Sequence, residues 1–207
     1  MTKTVKFTRQ YEGLTQGFKE LTLDFDLVTG EDLPEILTQY YEQSPDDQTE
    51  GEALFPAGST LFKFCIAERA SGGAAECDDF RRMKLFDGQK LSRAVDEYLD
   101  SADFDRAGGV LRWEDGEITL KYDELSSNDL IRAEHTAGGN VKGWGRLMNL
   151  RYLFAVAASA AGMKIDEMLA LPFCVLVTVM EQTRLFFLLG DSATTEKAQE
   201  ESSEEPA

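Results

Sequence analysis

The side chains that could do chemistry are few and scattered. His135 is the only histidine in 207 residues, in the stretch His135-Thr136-Ala137-Gly138-Gly139, which reads as the end of a helix. The common metal sites need several nitrogen or sulfur ligands, and histidine catalysis needs a partnered nucleophile. Neither stands near it, so His135 is expected at the surface. Cys65, Cys77 and Cys174 are odd in number and fit no metal spacing; reduced thiols are expected, not a disulfide framework or a zinc site. Two aspartate pairs, Asp26/Asp123 and Asp32/Asp129, recur at one interval. Paired carboxylates could support metal-assisted hydrolysis, but no third ligand or histidine accompanies either pair. The expectation is a chain with no catalytic residue, no metal and no cofactor, and hence not an enzyme.

The recurring aspartates belong to a larger repeat. Glu20 to Leu33 aligns without gaps onto Glu117 to Leu130, 97 residues on, with six identities: Glu20/Glu117, Thr22/Thr119, Leu23/Leu120, Asp26/Asp123, Asp32/Asp129 and Leu33/Leu130. A second match, Phe64 to Gly72 on Phe154 to Gly162, follows in the same order at an interval of 90. Two matches in order point to an internal duplication. Leu21, Leu23 and Phe25 alternate with polar residues, as do Ile118, Leu120 and Tyr122, the period of a half-buried strand. Asp115-Gly116 joins the second strand to Val110–Glu114 as a tight hairpin turn. In the first copy, Val5 to Arg9 pairs with Glu20 to Asp26 across a loop holding Gly13 and Gly17. Thr29-x-x-Asp32 and Ser126-x-x-Asp129 put a hydroxyl at the N-cap and an acid three positions on. The two aspartates are therefore read as helix caps.

Helices are expected at about 31–41, 59–70 and 88–100, and again at about 128–136, 147–162 and 172–189, the last opened by Pro172 and stopped by Gly190. Loops rich in glycine and acid fall at 44–52 and 138–145. The fold class is α+β, mainly helical: two similar units, each a β-hairpin followed by about three helices. The boundaries are 1–104 for the first copy, 105–191 for the second and 192–207 for a disordered acidic tail. The copies differ at their ends, where Leu171 to Leu189 is apolar nearly all round and Gln89 to Leu99 is amphipathic and charged. A helix of the first kind is central to a core or carries a partner surface.

Composition limits the partners. With 21 Lys+Arg against 38 Asp+Glu the net charge is −17, which argues against nucleic acid and anionic membrane surfaces. Apolar residues make up 43%, enough for a core. The first residues lead into no secretory signal. The longest uncharged apolar stretch, Met168 to Met180, falls short of the roughly 20 residues of a spanning helix. A cytoplasmic location is expected.

The order of a hairpin, then Thr22-Leu23…Gly30-Glu31-Asp32-Leu33, then Ala155-Val156-Ala157-Ala158-Ser159-Ala160-Ala161-Gly162 with Leu169-Ala170-Leu171-Pro172, resembles the tail assembly proteins of long-tailed phages. The chain departs from that pattern by being doubled, and residues 34–116 match it less well. The resemblance implies a non-catalytic chaperone of the host cytoplasm, without a cofactor. It would hold the long helical tape-measure protein soluble and help tail-tube subunits polymerise around it, so the expected partners are the tape-measure protein and the tail-tube protein. Self-association is compatible with this. The residue chemistry agrees: a holder of helices needs apolar surface on a charged body. Phe154, Phe173, Met180 and Phe187 are the expected client-binding residues, with core packing the competing reading for Phe173, Met180, Phe186 and Phe187. A structural tail component retained in the particle, an adaptor or terminator, is the alternative function.

Overall fold

The computed structural model describes residues 1–11, 18–44, 56–139 and 149–201, with 189–201 described by their backbone alone. The chain begins with an antiparallel hairpin, β1 (Thr2–Tyr11) and β2 (Phe18–Asp24), paired from Thr2↔Asp24 to Lys6↔Glu20 and again at Tyr11↔Phe18. Leu21 and Leu23 turn inward and Glu20, Thr22 and Asp24 turn out or lie at the edge, as the alternation predicts. Burying a leucine such as Leu23 stabilises by about 1.5–3 kcal/mol. A 3₁₀ turn over Phe25–Leu27 follows, then Thr29-Gly30-Glu31-Asp32, then α1 (Leu33–Gln43). The first half continues with α2 (Thr60–Ala70), a short α3 (Cys77–Arg81) and α4 (Leu85–Leu99).

The second half opens on a three-stranded antiparallel sheet, β3 (Asp103–Asp105), β4 (Val110–Trp113) and β5 (Gly116–Thr119), in the order β3-β4-β5. After a 3₁₀ turn at Tyr122–Glu124 come α5 (Ser127–Thr136), α6 (Leu150–Ala161), a short α7 (Ile165–Leu169) and α8 (Phe173–Glu201). The class is mixed α+β and mainly helical, with two small sheets. Among the described residues each half has four helices, not three, because the five-residue α3 and α7 are too short for periodicity to reveal. β3 is likewise an unpredicted third strand.

Three further expectations change. The hairpin turn is Glu114-Asp115, not Asp115-Gly116: Trp113 pairs with Gly116, which already belongs to β5. Gly116 is needed there because a Cβ would stand 2.7 Å from the Trp113 ring. The last helix does not stop at Gly190 but runs to Glu201, so the segment expected as a disordered tail is helical through that residue. One glycine in a helix interior costs only about 1 kcal/mol, and the Glu, Lys, Gln and Ala residues beyond it are strong helix formers. The loops expected around Gly13 and Gly17, over most of 44–52 and over most of 138–145 lie outside the described residues.

A single hydrophobic core runs through both halves, from Val5, Leu23 and Phe25 through Phe62, Leu91 and Tyr98 to Leu153, Phe173 and Met180. No helix among the described residues is long and apolar enough to cross a membrane.

Candidate functional site

The recurring aspartates are structural. Asp32 accepts from the Thr29 N–H at 2.8 Å and the Thr29 hydroxyl at 3.0 Å. Asp129 does the same at Ser126, at 2.9 and 2.5 Å, and these bonds hold its carboxyl below the usual carboxylate range. Asp26 and Asp123 are exposed, and Asp26 pairs with the amino group of Met1. His135 sits exposed in the last turn of α5. All three cysteines are free and buried. Cys65 and Cys77 come together, with Sγ atoms 3.8 Å apart, and the bond to Cys77 together with burial pushes the Cys65 thiol far up. Among the described residues no group of three or more His, Cys, Asp or Glu side chains could hold a metal ion.

Of the four side chains expected to meet a client, Phe154, Phe173 and Met180 lie in the core, 4%, 0% and 0% exposed. For Phe173 and Met180 this is the core-packing reading, and for Phe154 it is a correction: an apolar run tells that a helix needs cover, and here α6 and the first half supply it. Phe187 is half-buried, 5.7 Å from the Tyr152 ring and 5.3 Å from Phe186. Phe186 in turn stacks on Tyr122 at 4.9 Å, which leaves Leu185, Phe186 and Phe187 as a partly covered apolar ridge on α8.

A second apolar surface was missed from sequence. Leu85 and Phe86, at the start of α4, are 71% and 73% exposed. They are not loose. The Lys84 N–H before them donates to the Tyr11 hydroxyl at 3.0 Å. Asp87 after them, fully buried, accepts from the Tyr11 hydroxyl at 2.8 Å, the Thr8 N–H at 2.8 Å and the Thr8 hydroxyl at 2.7 Å, with the Lys90 ammonium at 3.5 Å. Burial pushes the Asp87 carboxyl up, but the bonds from Thr8 and Tyr11 and the nearby Lys90 outweigh it and leave it below its ordinary value. The helix start is thus pinned to β1 on both sides of the exposed pair. Sequence spacing gives no sign of this, because the partners lie 73 to 79 residues away.

The two halves meet where α8 begins. Pro172 forms an isolated bridge with Thr29, the Cys174 N–H donates to the Tyr98 hydroxyl at 3.3 Å, and the Ser101 hydroxyl reaches the Cys174 sulfur at 3.5 Å. Gly30 admits this contact: a Cβ there would stand 2.8 Å from Leu176 Cδ2 and closer still to the Leu169 carbonyl oxygen. No family model, curated protein or solved structure matches the chain.

Proposed function

We propose that the chain is a duplicated, non-enzymatic assembly chaperone that keeps a long helical client in solution. In the reading that the sequence resemblance implies, the client is the tape-measure protein of a phage or prophage tail, held in the host cytoplasm until tail-tube subunits close around it. The single observation that carries this is the half-covered ridge Leu185-Phe186-Phe187 on a long helix of a chain charged −17. Such a ridge offers the apolar face of a client helix a complementary stripe, while the net charge keeps the complex apart from its neighbours. Of the recurring carboxylates, Asp32 and Asp129 are engaged as caps.

The duplication is supported by more than the aligned residues. Each half has a hairpin, a 3₁₀ turn, a boxed helix start, a helix of 10 or 11 residues, another of 11 or 12, a five-residue helix and a long helix, in that order. Phe25 stacks on Tyr98 at 4.2 Å and Tyr122 stacks on Phe186 at 4.9 Å; these are matched pairs, 97 residues apart for the first members and 88 for the second. Gly72 and Gly162, which close the matched helices α2 and α6, have φ of 62° and 65°.

Co-expression with a long helical tape-measure protein, the client class the resemblance implies, tests the reading. The client should move from the insoluble to the soluble fraction when the chain is present, and Phe187→Glu should reverse this while the circular dichroism of the chain is unchanged. A client equally soluble without the chain would end the proposal. The chain found at fixed stoichiometry in purified particles would instead favour the retained adaptor or terminator.

A further inference from the structure

Several matched positions of α4 and α8 agree in burial and others differ, as exposed Gln89 and buried Val177 do; the largest departure is at their starts. Asp87 and Val175, Gly88 and Leu176, Leu91 and Val179, and Val95 and Thr183 are buried in pairs 88 residues apart. One step earlier the agreement fails. Phe173 and Cys174 are 0% and 4% exposed, whereas Leu85 and Phe86 are 71% and 73% exposed. A second exception lies around the helix caps: Phe25, Val28 and Leu33 are buried, but their matches 97 residues on, Tyr122, Leu125 and Leu130, are half-buried, and the adjoining Ile131 is 48% exposed.

Within the chain the two covered faces are each other's partners. The start of α8 rests on the cap region of the first half, through Pro172 with Thr29, Cys174 with Tyr98, and Leu176 with Gly30. The exposed pair Leu85-Phe86 and the half-covered face around Ile131 are the missing counterparts of that contact. We propose that the chain self-associates head to tail, with Leu85 and Phe86 of one copy seated on Tyr122, Leu125, Leu130 and Ile131 of the next. This rests on the reading of the chain as two copies; the acceptor face adjoins the ridge of α8, since Tyr122 stacks on Phe186.

Charge and rigidity favour the same occupant. Arg82 and Lys84 flank the donor pair, exposed and without an ion pair among the described residues; at the acceptor face Asp123 is exposed, Glu124 pairs with Lys121, and Arg132 stands beside Ile131. Arg82 and Lys84 thus offer unpaired positive charge on a chain of net charge −17, and Asp123 gives them an exposed acidic counterpart at the acceptor face. The clamp of Tyr11 and Asp87 on residues 84 and 87 presents the pair already ordered, so little freedom is lost on docking. The second contact is not a replica of the first: Ser127 stands where Gly30 admits the backbone of the second half, so the copies must approach less closely. Phe86, larger than Cys174 at the matched place, fills that space. Each copy keeps one donor and one acceptor face, so the contact is heterologous and builds a ring if the rotation closes, a filament if it does not.

Sedimentation of the purified full chain across the micromolar range tests this. The mean mass should rise above the 23.1 kDa of one chain. Phe86→Glu and Ile131→Glu should each weaken association by at least about tenfold, with unchanged circular dichroism. An equal mixture of the two variants should form a species that stops at two chains, since each variant retains one intact face. In that mixture, Lys84→Cys on the Ile131→Glu copy and Ser126→Cys on the Phe86→Glu copy should cross-link, because these positions match the bridged Pro172 and Thr29. A mass of one chain at every concentration overturns the inference and leaves the two-copy reading standing. Association that survives both substitutions, or a mixed dimer that does not cross-link, overturns the register and the two-copy reading that supplied it.

Discussion

Replacing Asp87 with alanine removes the carboxylate on which β1 and α4 converge. Three donors lose their acceptor: the Tyr11 hydroxyl at 2.8 Å, the Thr8 N–H at 2.8 Å and the Thr8 hydroxyl at 2.7 Å. They are not equal. Tyr11 is 5% exposed, and a buried hydroxyl left without its acceptor costs about 1–3 kcal/mol. Thr8 is exposed, so water replaces part of what it loses, at about 0.5–1 kcal/mol for each bond. Relief from burying a charge offsets some of this, and the net loss is about 3 kcal/mol, or about 6–12 °C in Tm for a chain of this length. Asp87→Asn, which keeps one acceptor oxygen, should cost about half as much. The pH dependence is specific to this group. Its folded carboxyl lies below its ordinary value, so its contribution is full above the unfolded pKa of about 3.9 and is lost as pH falls through that value toward the folded one. Urea unfolding followed by circular dichroism should therefore give a constant gap between the native chain and the alanine variant from about pH 5.5 to 8, narrowing below about pH 4. A gap under about 1 kcal/mol at neutral pH, or one that does not narrow in acid, would refute the clamp.

Other expected outcomes concern the joint between the halves and the thiols. Gly30→Ala forces a methyl against the Leu169 carbonyl and Leu176. It should lower stability by about 2–3 kcal/mol, the range of overpacking, whereas Gly58→Ala, with open space around it, should change stability by less than about 0.5 kcal/mol in the same melts. A thiol reagent should find all three buried cysteines slow in the native chain and fast in denaturant; rapid native labelling of Cys65 or Cys77 would contradict the packing of α2 on α3.

Local chemistry made part of this fold readable in advance. The alternation of Leu21 and Leu23 fixes a strand face, though Phe25 already belongs to the 3₁₀ turn, and the spacing of Thr29 to Asp32 and of Ser126 to Asp129 fixes two helix starts, because each needs only neighbours in the chain. The turn at 114–115 was misplaced by one residue because Gly116 serves a close approach of Trp113 and not a positive φ. The apolar run from Leu171 could be seen to need cover, but not that the first half gives it, so core and client contact stood as competing readings of Phe173 and Met180, which are core. The clamp at Asp87 and the exposed pair it holds depend on partners more than 70 residues away, where no sequence period reaches.

The central claim is that α8 offers its apolar ridge to a client helix. Amide hydrogen exchange of the full chain, alone and in complex with a tape-measure protein as the proposed client, tests this most directly. Protection in the complex should appear over residues 181–188, around Leu185, Phe186 and Phe187, with the core amides of α6 unchanged. A client that remains soluble while those amides exchange as fast as in the free chain would contradict it.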